Sequence, residues 1–163
     1  VGEDLQITFP VLLDTKKLCV VQNFYPYHYW INNKSITGQY DSSYIEKVKL
    51  LSSRLQAISD AKGVYDFTAQ IRNDFLGLAV LAVKNEIYRN YKAGRRNVVA
   101  NVKRICEDVM VRDAMEKHTM DKLSASIRLY LWLMRTGHYN LCYWLVLGFF
   151  KVNYYLGREY KRQ

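Results

Sequence analysis

Proline and glycine are both scarce, with two prolines and eight glycines in 163 residues. Both residues interrupt helices, so their shortage leans the chain towards helix. Cysteine is scarce too. Cys19, Cys106 and Cys142 are odd in number and show no paired spacing. Neither a disulfide framework nor a zinc site follows from them, and reduced thiols in a cytosolic setting are the simplest reading. Several signatures of chemistry are absent. There is no P-loop, no G-x-G-x-x-G, no G-x-S-x-G, no H-E-x-x-H and no C-x-x-C. No acidic D-x-D occurs either. The most apolar run, Leu141–Phe150, stops after ten residues at Lys151. A membrane span needs about 20. The first residue is Val1, and no signal-peptide pattern follows it, so the chain is expected to be a piece of something longer.

Half of the residues are apolar and 24% are charged. That balance excludes intrinsic disorder, collagen and a coiled-coil rod. Tyrosine is abundant, with fourteen. The charge is lopsided. Residues 1–81 carry eight Lys/Arg against eight Asp/Glu, whereas residues 82–163 carry sixteen against seven. The net +9 therefore sits entirely in the second half. Such a half invites an anionic partner: lipid head groups, nucleic acid or a phosphorylated substrate. Arg95-Arg96, Lys103-Arg104 and Lys161-Arg162 could meet phosphates, but no nucleic-acid motif accompanies them. Cations spread over helices are usually a solvated face, and no nucleic-acid partner is expected.

Residues 1–40 and 41–163 read as two units. In the first, Asp4 to about Thr15 is a short helix that Pro10 should kink or break. Leu18–Val21 reads as a strand, and Phe24–Trp30 as a second extended piece with Pro26 at an edge or bulge. From Asp41 the period becomes helical. Ser43 and Glu46 are spaced as a capping box, followed by a face of Ile45, Val48, Leu51, Leu55 and Ile58 and a stop at Gly63. A second helix, about Asp66 to Lys92, carries Phe67, Ile71, Phe75, Leu78, Ala82 and Val83, and Gly94 ends it. A third, about Arg96 to Lys117, points Val98, Val102, Ile105, Val109 and Met110 inward. A fourth runs from about Met120 to Arg135 and ends at Gly137. A fifth covers about Tyr139 to Leu156. The fold expected is mainly α: a bundle of about four to six helices behind a short extended remnant. Cys106 and Cys142 fall on apolar positions and read as small core residues. His28, His118 and His138 have no evident catalytic partners and read as packing or surface residues.

One order of elements carries more. Gly2-Glu3-Asp4 opens an apolar segment. Lys17–Val21 follows, then Tyr27-His28-Tyr29, then Asn32-Asn33-Lys34-Ser35-Ile36-Thr37. This succession resembles the end of the catalytic domain of family 2 glycosyltransferases, the inverting GT-A type enzymes of bacterial capsule and exopolysaccharide synthesis. The resemblance covers residues 2–37. Residues 41–163 share only the general character of the basic helical region that follows in such enzymes. It implies that residues 1–40 are the incomplete C-terminal end of a catalytic domain and 41–163 a helical C-terminal domain.

By that resemblance Asp4 is the catalytic base, which takes a proton from the acceptor hydroxyl as it attacks the anomeric carbon. Glu3 is its neighbour and orients it or the acceptor. Without the downstream elements, both carboxylates would read simply as helix-start residues favoured by the dipole. Tyr27, His28, Tyr29 and Ser35 would line the acceptor or donor-phosphate side of the pocket, with strand and core packing as the alternative for the tyrosines. Trp30 stands where many members have Arg or His, and the Q-x-x-R-W signature of processive synthases is absent, which favours transfer of one sugar. The partners implied are a nucleotide-sugar donor and a glycan or lipid-linked acceptor. Mg²⁺ or Mn²⁺ is implied for the whole enzyme, and none for this chain. The donor and metal site would precede Val1, so the chain alone is expected to be inactive.

The last helices pair aromatic residues with cations. Trp132, Trp144, Phe149, Lys151 and Arg158 are candidates for contact with an anionic membrane surface at the cytoplasmic face. A bundle core or a homodimer interface is the alternative. A non-catalytic helical module that binds a partner protein or membrane explains residues 41–163 equally well.

Overall fold

A computed structural model of the protein describes residues 3–17, 19, 39–117 and 124–155. Among them every regular element is helical. In chain order these are α1 (Glu3–Asp14), α2 (Tyr44–Lys62), α3 (Thr68–Arg89), α4 (Arg95–Cys106), α5 (Val109–Lys117), α6 (Ala125–Arg135) and α7 (Tyr139–Tyr155). A 3₁₀ turn, Tyr91–Ala93, joins α3 to α4. The mainly α architecture is as expected, with one more helix than the range foreseen. The extended pieces read at 18–21 and 24–30 lie outside the described residues except for Cys19, which is exposed.

α3 is the hub, packing against α2, α4, α5, α6 and α7. Its sequence explains this. Ile71, Phe75, Leu76, Ala79, Val80, Ala82, Val83 and Ile87 are buried on more than one side of the helix. A helix that is apolar most of the way round must be covered most of the way round. Around it, Val48 of α2, Val98 and Val102 of α4, Val111 of α5 and Leu133 of α6 are wholly inaccessible. Cys142, Tyr143 and Val146 of α7 close the core.

α2 buries Ile45, Val48 and Leu51 as its period predicts. It ends at Gly63, whose φ of +59° suits glycine and whose N–H bonds the Ser59 carbonyl. The capping box does not form. The Ser43 hydroxyl donates to Asp41 Oδ1 (2.7 Å), and Glu46 pairs with Lys49 (3.2 Å). With its hydroxyl turned to the ionised Asp41, Ser43 does not accept the backbone N–H that a capping box requires.

Two further expectations are corrected. α1 runs through Pro10 unbroken. Contacts on both sides of the proline hold it on α2 and the start of α3: Arg54 to Gln6 (2.6 Å), Lys62 to Asp14 (2.6 Å), and Phe9 edge-on to Phe67 (5.5 Å). The helix read over 96–117 is two helices. Asp108 Oδ1 accepts the N–H groups of Met110 (2.9 Å) and Val111 (3.4 Å), capping α5 and ending the run of α4. Val109, expected inward, falls at this break and is 83% exposed.

Candidate functional site

The sequence singles out two groups of residues, and they lie on different elements. α1 rests on α2, whereas α7 rests on α3, α4 and α6.

Glu3 and Asp4 form the first turn of α1. Asp4 is exposed. Its carbonyl accepts the Thr8 hydroxyl (2.8 Å), and its carboxylate has no ion pair among the described residues. A carboxylate here is favoured by the free N–H groups of the helix start. α1 is apolar on two sides. Phe9 faces the helical domain, while Leu5, Ile7, Val11 and Leu12 point outward, Ile7 at 69% exposure. Tyr27, His28, Tyr29 and Ser35 lie outside the described residues.

The second group is on the surface. Trp132 of α6 is 50% exposed, and Trp144 and Phe149 of α7 are 54% and 67% exposed. Lys151 is exposed, and Arg158 lies outside the described residues. On α7 the exposed residues Leu141, Trp144, Leu145, Gly148, Phe149 and Val152 recur at three and four positions, so they form one stripe. The opposite side holds Cys142, Tyr143 and Val146 in the core, with Phe150 stacked on Tyr88. The core alternative considered for these aromatic residues is thereby excluded for Trp132, Trp144 and Phe149. The Arg95 guanidinium lies over the Trp144 ring at 6.0 Å, and His138 stands beside Trp132 at 5.7 Å.

A third cluster was not foreseen from the sequence. Glu86 is buried within α3 and accepts three hydrogen bonds. They come from the Tyr40 hydroxyl (2.7 Å), Asn90 Nδ2 (2.7 Å) and Asn101 Nδ2 (2.8 Å). Burial, and the hydrogen bond to Glu86, push the Tyr40 phenol up to about 12. Next to it, Lys47 and the Ser43 hydroxyl hold Asp41 down at about 2. The signal was available. Glu86 follows Ala82 and Val83 on the inward stripe of α3, where an acid must have partners. Its donors, 46 positions before it and 15 after it, could not be picked out from spacing. The cluster ties the segment before α2 to α3 and α4.

The buried cysteines behave as expected. Burial raises the Cys142 thiol to about 11 and lifts Cys106 further still, so both are inert packing residues. Among the described residues, no three His, Cys, Asp or Glu side chains gather to hold a metal ion. No protein-family model, curated protein or solved structure matches this chain.

Proposed function

We propose that this chain is the C-terminal part of a family 2 inverting glycosyltransferase: the base-bearing end of a catalytic domain, followed by a basic helical domain. α1 carries this reading. An aspartate stands exposed at its first turn, within Gly2-Glu3-Asp4. The same helix turns one apolar face to the helical domain and leaves another uncovered, as a junction helix between two domains would.

In this reading Asp4 accepts the proton of the acceptor hydroxyl while its oxygen attacks the anomeric carbon. The nucleotide diphosphate leaves from the opposite side, which inverts the configuration. Glu3 orients the acceptor or the base. Tyr27, His28, Tyr29 and Ser35 line the acceptor or donor-phosphate side. The acceptor is a glycan or a lipid-linked sugar, met by an enzyme peripheral at the inner face of the cell membrane. No helix among the described residues is long and apolar enough to cross a membrane, which is compatible with peripheral attachment.

The test extends the chain. Supplied with sugar nucleotides and Mg²⁺ or Mn²⁺, the chain alone should transfer nothing. The same chain extended through the sequence encoded before Val1 should transfer sugar. A preceding sequence without βαβ patterning and a D-x-D motif would overturn the proposal. It would favour the second reading, a non-catalytic helical module, to which the exposed face of α7 also lends support.

A further inference from the structure

We propose that the outward face of α7, together with the cationic surfaces of α4 and α6 beside it, docks onto an anionic lipid surface. This assigns a partner to the helical domain. It stands on geometry separate from Asp4, so loss of lipid docking and loss of sugar transfer are distinguishable results.

The face is apolar and uncovered. Leu141, Trp144, Leu145, Phe149 and Val152 form a continuous exposed stripe, and Trp132 stands on the adjoining helix. Apolar residues contiguous to this degree on a surface mark a contact site. Tryptophan suits the boundary between acyl chains and head groups, with an apolar body and a polar N–H.

Charge selects the occupant. Residues 90–106 and 124–155 contain no aspartate or glutamate, yet they carry Lys92, Arg95, Arg96, Lys103, Arg104, Arg128, Arg135 and Lys151. All eight are exposed. Among the described residues, only Lys103 is paired with a carboxylate, Glu107 at 3.9 Å. Arg95 is held over Trp144, so a cation and an apolar anchor share one spot. Lys151 continues the stripe, three residues beyond Gly148 and seven beyond Trp144. A second copy seated on this face by a two-fold axis would bring the same cations against one another. A leaflet bearing phosphatidylglycerol or a similar lipid would receive the apolar stripe and neutralise its rim.

Co-sedimentation of the full chain with phosphatidylglycerol/phosphatidylcholine vesicles, and with phosphatidylcholine alone, tests this. Binding should require the anionic lipid and weaken as salt is added. Phe149→Ser and Trp144→Ser should each lower the partition coefficient roughly tenfold. Arg95→Gln and Arg96→Gln should lower it about fivefold each. All four side chains are on the surface, and an unchanged helical circular dichroism spectrum verifies that each variant is folded. Absence of binding to anionic vesicles at low salt would overturn the proposal. So would a dimer that tightens as salt screens the cations and is dissolved by Trp144→Ser.

Discussion

Glu86 shows how one side chain can organise a junction. Its carboxylate is buried and has three donors from three stretches of chain. Glu86→Ala would leave the Tyr40 hydroxyl and two amides without their acceptor. It should cost about 2–3 kcal/mol in urea unfolding, the scale of unpaired buried polar groups. The neighbouring groups predict two limbs of a stability–pH curve. Asp41, held at about 2 against 3.8 unfolded, contributes stability above pH 3.8 that is lost as the pH falls towards 2. Tyr40, raised to about 12 from 10.0, contributes stability below pH 10 that is lost as the pH rises towards 12. Asp41→Asn should flatten the acid limb, and Tyr40→Phe the alkaline one, in thermal melts across pH. The apolar periodicity of α3 already marked its position as inward. Two of its three donors, Tyr40 and Asn101, were illegible because they come from a non-local meeting of the segment before α2 with α3 and α4.

The helices divide by how local their causes are. α2 was legible from Ile45, Val48 and Leu51 through to Gly63, because periodicity and a left-handed stop act within a few residues. α4 and α5 were read as one helix because their apolar spacing barely falters. What separates them is Asp108, whose side chain takes the place of a backbone carbonyl. The same residue receives the Lys49 ammonium at 2.7 Å, a contact across 59 positions that spacing does not reveal. Asp108→Ala should cost about 1–2 kcal/mol, the typical value of a lost helix cap. Asp108→Asn should recover most of it, which denaturant titration of the pair would measure. α1 departs from the expected break in the other direction. Pro10 removes one backbone bond, but Gln6, Phe9 and Asp14 are each anchored outside the helix. Tertiary contacts thus outweighed a local preference.

Across the whole molecule, the composition announced a helical domain and a cationic second half, and the structure sets one of those cations, Arg95, over Trp144 on an uncovered apolar face. The inward and outward faces of α7 could not be separated by sequence, since both are apolar. Only packing against α3, α4 and α6 decides which is buried. For the catalytic reading, the order of Gly2-Glu3-Asp4, Tyr27-His28-Tyr29 and Ser35 remains the sequence's contribution, and the exposed first turn of α1 is the structure's. The most direct measurement is the rate of sugar transfer by the longer protein carrying Asp4→Asn. The substitution removes the base while nearly preserving size and leaving the helix start polar. The proposal predicts a kcat lower by about 10²–10⁴-fold, with the donor KM and the helical content unchanged. A kcat close to that of the unaltered protein would contradict it.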